Sequence, residues 1–123
     1  MKPGRTGLAR IFLATGHSMN GLKACWKFEA AFRQNAVLAL VLFILSFFVA
    51  RSPEQWLLLV LPPILLLIVE LLNSAIENTV DRIGRETHEL SGRAKDMSSA
   101  AVFLCLVLIG LCWLTICWAN FFL

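Results

Sequence analysis

Three long apolar stretches separate short polar ones along this chain. Residues 36–50 are interrupted only by Ser46, residues 56–69 carry no charge, and residues 98–118 are likewise uncharged. At 1.5 Å per residue, the first of these covers about 23 Å, short of the roughly 30 Å hydrocarbon core of a bilayer. Its helix is therefore predicted to extend back through residues 30–35, which brings Glu29 to the membrane interface. Arg51, Ser52, Pro53 and Glu54 read as a tight outer turn, since a residue before proline avoids the helical region. The expected spans are about 30–50, 54–82 and 97–119. Pro62 and Pro63 should kink the second span. Residues 83–92, polar and marked by glycine, read as the inner connection. Ahead of the spans, Leu8, Phe12, Thr15, Met19, Leu22 and Trp26 recur at helical spacing, with Arg10, His17, Lys23 and Lys27 off that stripe. This predicts an amphipathic surface helix over about 6–26, weakened by Gly16 and Gly21; a disordered basic tail is the alternative. The expected fold is thus an all-α membrane protein, with one surface helix and three transmembrane helices in a single domain over residues 1–123.

The second span breaks the pattern of its surroundings. At about 100° per residue, Glu70, Asn73, Glu77 and Asp81 share a stripe roughly 80° wide, while Leu72, Ile76 and Val80 occupy the opposite face. A charged side chain in hydrocarbon costs about 2.5–3.5 kcal/mol on insertion scales, so such groups face a bundle interior or a wet cavity. The stripe is either a functional site or a polar packing seam between helices. Three helices offer little interior, so hiding Glu70, Asn73 and Glu77 should need neighbouring copies, and a homo-oligomer is expected.

Composition agrees with a membrane setting. Apolar residues make up 59% of the chain and the mean hydropathy is +0.76, well above soluble domains. Residues 1–20 hold no apolar core of a signal peptide. The net charge is +3, and its distribution says more than its sum. Lys2, Arg5, Arg10, Lys23, Lys27 and Arg33 precede the first apolar run, only Arg51 lies in the next turn, and Arg82, Arg85, Arg93 and Lys95 lie in the third connection. The positive-inside rule then places the N-terminus and residues 82–96 in the cytoplasm and the C-terminus outside. These charges serve topology and anionic lipid; nothing suggests a nucleic-acid partner. Cys25, Cys105, Cys112 and Cys117 show no Cys-x-x-Cys or Cys/His pairing, which argues against a zinc site or a disulfide framework.

Topology brings several polar groups to one depth: Glu29, the stripe from Glu70 to Asp81, and Lys95 with Asp96. Acids from two helices suit a hard divalent cation, and Mg²⁺ prefers one or two carboxylates completed by water and phosphate. A nearby lysine can bind phosphate as a point charge, and a deeper carboxylate such as Glu70 can take a proton from a hydroxyl. Together these describe phosphoryl transfer, where positioning and charge neutralisation supply most of the catalysis. No Walker A loop, Gly-x-Gly-x-x-Gly or soluble-kinase signature is present.

Residues 69–77 (VELLNSAIE), 80–84 (VDRIG) and 88–97 (HELSGRAKDM), with residues 29–34 (EAAFRQ), Gly21, Leu22, Trp26, Trp113 and Trp118, resemble the small bacterial integral-membrane diacylglycerol kinases over essentially the whole chain. The resemblance implies a homotrimeric bundle in the bacterial inner membrane, with active sites shared between subunits. It implies transfer of the γ-phosphate of MgATP to diacylglycerol, giving phosphatidic acid. Carried over residue by residue, Glu70 looks like the general base, with Asn73 beside it. Glu29 and Glu77 look like the metal and nucleotide carboxylates. Glu86, Thr87, His88, Lys95 and Asp96 look like nucleotide contacts, with Arg10, His17 and Ser18 on the surface helix. Arg10, Ala14, Ala31, Arg33, Glu70, Ser99, Trp113 and Trp118 are placed at the lipid substrate. This chain departs from the family at His17 and Thr87, where tyrosine is common, and at Ser98, where glycine is usual. Ser98 is expected either to crowd the start of the third span or to cap it.

Blander readings stand beside these. Asn73 can be an interhelical hydrogen-bonding residue, Lys95 a topology determinant, Asp81 and Arg82 an interfacial charge pair, and the tryptophans interface anchors. Two other functions are carried: an undecaprenol kinase with the same machinery, and a small transporter or channel subunit whose polar stripe lines a path. Against the latter, the charged groups gather at the cytoplasmic edge and the outer halves of the spans are apolar.

Overall fold

The computed structural model describes residues 6–84 and 86–123; the basic start at residues 1–5 and Arg85, both part of the charge asymmetry, lie outside the described residues. Four helices follow one another: α1 (Gly7–Phe28), α2 (Ala30–Val49), α3 (Pro53–Ile83) and α4 (Glu89–Phe121). Three of them, α2 to α4, are long and apolar enough to cross a membrane, so this is a multi-pass membrane protein. The helix α1 carries Leu8, Phe12, Met19, Leu22 and Trp26 exposed, and its one buried residue is Cys25. An apolar stripe left bare in this way fits a helix lying on a lipid surface.

A single residue, Glu29, joins α1 to α2. Its backbone is extended, and it ends one helix and starts the next. Arg33 closes the corner: its guanidinium donates to the carbonyl oxygens of Trp26 at 2.7 Å and Lys27 at 3.1 Å. Those carbonyls are orphaned by the end of α1, and a cation there also complements the helix dipole.

At the far end the connection is as short. Ser52 caps α3 by accepting from the Gln55 amide at 3.1 Å, and Pro53 takes the first helical position, where no N–H is missed. The Gln55 side chain reaches back past the cap to accept from the Arg51 amide at 2.9 Å. Asn120, buried near the end of α4, donates to the free Val49 carbonyl at 2.8 Å and exchanges hydrogen bonds with Gln55. One amide side chain thus ties the end of α2 and the start of α3 to α4.

The helix α3 is central and packs against both α2 and α4, which barely meet each other. Leu66, Cys105 and Ile109 form the core, flanked by Leu42, Val69, Val102 and Trp113. The two prolines do not end α3, which runs unbroken through them with both buried. Pro63 has no N–H for the carbonyl of Leu59, four residues earlier. The Trp113 indole fills that vacancy, donating to Leu59 O at 2.9 Å. Trp113→Phe keeps the ring and removes the donor. The expected cost is about 1–3 kcal/mol, the penalty for a buried acceptor left unpaired, read as a lower unfolding midpoint in detergent with activity at permissive temperature retained.

The helix α4 starts at Glu89, inside the stretch whose polarity suggests a connection. His88 is its cap, Nδ1 accepting from the Leu90 amide at 3.1 Å. Ser98 is therefore not a cap. It lies nine residues into the helix, is buried, and its hydroxyl donates back to the Lys95 carbonyl at 3.0 Å.

Candidate active site

The acidic stripe on α3 behaves as its spacing predicts: burial is deepest at Glu70 and fades toward the C-terminal end of the helix. Glu70 is 3% exposed and Asn73 8%, Glu77 is half-buried, and Asp81 is exposed. Concealing the first two does not take a second copy, which corrects the expectation that one bundle is too small. A single chain suffices because α2 covers that turn of α3; only Glu77 is left partly open.

The Glu70 carboxylate is held on both sides. Asn73 Nδ2 donates to Oε1 at 3.3 Å, and Asn35 Nδ2, from α2, donates to Oε2 at 3.1 Å. Among the described residues no cation pairs with it. The carboxylate is therefore oriented by neutral donors and keeps lone pairs free for a further proton donor. Asn73 Oδ1 is buried with no partner among the described residues. A buried acceptor in that state costs free energy, so beside the Glu70 carboxylate the turn presents one acceptor that no described residue serves. A hydroxyl group would satisfy it.

One turn further along α3, Ser74 faces α1. The Cys25 thiol donates to Ser74 Oγ at 3.6 Å and fastens the surface helix to the bundle. Burial pushes the Cys25 thiol pKa up, with the Ser74 hydrogen bond opposing. A raised thiol is a packing group and not a nucleophile at neutral pH. Around this contact lies a cleft of about 550 Å³, lined by Gly21, Ala24, Cys25, Phe28 and Glu29 from the α1–α2 corner and by Leu71, Ser74 and Asn78 from α3.

Glu29 and Glu77 are both half-buried, and neither carboxylate has a hydrogen-bond or ion-pair partner among the described residues. Among those residues no three ligating side chains converge on one point. Such a donor set does not fit an all-protein metal cage. Glu29 lines the cleft beside Cys25 and Glu77 does not; carboxylates presented singly in this way suit a hard cation whose remaining ligands are phosphate and water.

A profile described as prokaryotic diacylglycerol kinase matches residues 16–117. A diacylglycerol kinase of Escherichia coli K12 is 47% identical over 116 residues, covering 94% of this chain and 95% of its own. One from Pseudomonas aeruginosa is 50% identical over 113 residues, covering 92% of each. One from Haemophilus influenzae is 46% identical over 108 residues, covering 88% of this chain and 92% of its own. The chain belongs to the prokaryotic diacylglycerol kinase family.

The other residues carried over from the family fall into separate groups. Glu86, Thr87 and His88 line a smaller cleft of about 210 Å³ with Asp81, Gly84, Ser91 and Lys95. In it Lys95 Nζ meets Asp81 Oδ1 at 2.7 Å. Asp81 thus pairs with Lys95 across the connection, and not with Arg82, its neighbour in sequence. Both side chains are about half exposed, and a solvent-screened bridge of this kind is weakly held, so Lys95 can exchange Asp81 for a phosphate at little cost. Asp96 and Ser99 are exposed on α4.

On α1, Arg10, His17 and Ser18 are exposed and Ala14 is half-buried; the Ser18 hydroxyl donates back to the Ala14 carbonyl at 2.9 Å. None of the four lines the larger cleft, which begins at Gly21. Arg33 closes the α1 terminus, and Ala31 is exposed beside it. Trp113 and Trp118 are not brought to Glu70. Trp113 binds the Leu59 carbonyl, eleven residues before Glu70, or about 16 Å along the helix. Trp118 is 58% exposed and stacks on Phe122 at the outer end.

Asn35 is the residue at Glu70 that sequence reading passes over. Its signal is present: it is the last strongly polar residue before the apolar run, at the depth of Glu70. Ser74 and Asn78, on the cleft wall, lie on the edge of the stripe and carry no charge to draw notice.

Proposed function

We propose that this protein is an ATP-dependent diacylglycerol kinase that transfers the γ-phosphate to the free hydroxyl of the lipid at the cytoplasmic edge of the bacterial inner membrane. The observation that carries this reading is Glu70: a buried carboxylate, held by two neutral amides and unpaired with any described cation, at the end of an apolar span in a chain of this family. The membrane delivers the lipid laterally, with its hydroxyl at interface depth. Glu70 accepts the hydroxyl proton as the oxygen attacks the γ-phosphorus and the bond from that phosphorus to the bridging oxygen breaks, with ADP as the leaving group. Asn73 holds one oxygen of that carboxylate. Glu29 and Glu77 are the residues that would hold the divalent cation accompanying ATP. When bound, that cation neutralises charge on the phosphate oxygens. Lys95, released from Asp81, stabilises the charge that grows on the transferred group, and Glu86, Thr87 and His88 flank the nucleotide.

The working unit in this reading is a homotrimer with shared sites. Large apolar residues are bare on α2, α3 and α4, and Glu77 stays half-open in one copy. The N-terminus and residues 82–96 face the cytoplasm, as the basic residues dictate. Purified protein in mixed micelles, given γ-labelled ATP and a panel of lipid alcohols, tests the substrate. Label is expected in phosphatidic acid. Preferential labelling of undecaprenol would replace diacylglycerol as substrate.

A further inference from the structure

The two amides on Glu70 are not equivalent. Asn73 lies on the same helix, three residues on, and moves with Glu70. A single donor to one oxygen leaves the terminal carboxylate torsion soft, since such sp³–sp² torsions have broad wells. Asn35 supplies the second donor from a different helix, and its 3.1 Å hydrogen bond fixes the other oxygen. Two donors on two oxygens define the plane of the carboxylate. A neutral amide can do this without the charge neutralisation that a lysine or arginine would impose on a base.

We infer that Asn35 is a positioning residue for phosphoryl transfer: it sets the plane of the Glu70 carboxylate so that a free lone pair meets the lipid hydroxyl. This rests on the reading of Glu70 as general base. The competing explanation is that the Asn35–Glu70 hydrogen bond merely joins α2 to α3. That role would show in stability and leave turnover alone, because α2 and α3 also pack through apolar contacts along their length.

Steady-state kinetics of Asn35→Leu in reconstituted full-length protein separates the two. Misplacing a catalytic group by about 1 Å can cost up to 10²-fold, so kcat is expected to fall about 10- to 100-fold, with KM for ATP and for diacylglycerol within about twofold of wild type. In a Glu70→Gln background the same substitution should cause no further loss, since Asn35 acts only through Glu70. Should Asn35→Leu fail to fold, Asn35→Ala removes the N–H donor without placing a second carboxylate beside Glu70, and the same fall in kcat is expected. Wild-type kcat in either folded variant, or a raised KM at unchanged kcat, overturns the assignment while leaving an inactive Glu70→Gln intact. Glu70→Gln with substantial turnover instead removes the general-base reading on which it rests.

Discussion

Glu70→Gln should abolish most turnover at saturating ATP and lipid. General-base assistance contributes about 10²–10⁴-fold, and the loss is expected in kcat, with KM for ATP little changed. Glutamine is close in shape, and its carbonyl oxygen can still accept from one of Asn35 and Asn73. Its NH₂ would face the other amide donor, so one hydrogen bond is lost. The fold should survive, because α3 is held by its packing against α2 and α4 and not by this one carboxylate. Measuring kcat beside the unfolding midpoint distinguishes loss of the base from loss of structure.

The second large effect is expected at Glu77. This carboxylate is half-buried, on the same stripe as Glu70, and has no partner among the described residues. In Glu77→Leu the site keeps only Glu29 for the cation. Metal stabilisation of a transferring phosphoryl group is worth several kcal/mol, so a fall of about two to three orders of magnitude in kcat/KM is expected. The residual rate should lose its dependence on Mg²⁺ concentration. Stability should hold or rise, since the substitution removes a partly buried, unpaired charge from a membrane helix. Titrating Mg²⁺ against activity in wild type and variant reads both features.

Much of this was legible in the sequence because it depended on one helix at a time. The stripe on α3 follows from helical spacing, and its burial follows from the cost of charge in hydrocarbon. The extension of α2 back to residue 30, and with it the placement of Glu29 at the corner, followed from bilayer thickness alone. Relations between helices were not legible. Whether Asn35 meets Glu70 depends on the rotation of α2 against α3, which no one-dimensional period encodes. The same holds for Trp113, whose indole binds a carbonyl freed by Pro63: the sequence shows the vacancy but not its occupant. Lys95 paired with Asp81, and not Asp81 with Arg82, because adjacent residues on a helix point in different directions. The start of α4 at Glu89 was hidden by its polar first turns; that segment is helix without being apolar, since it lies beyond the hydrocarbon.

The central claim concerns where the γ-phosphate goes. Purified wild-type protein in lipid vesicles, supplied with γ-labelled ATP, Mg²⁺ and diacylglycerol, should place one labelled phosphate in the lipid for each ATP consumed. ATP consumption with the label released as inorganic phosphate, or no ATP consumption with any lipid alcohol, would contradict it.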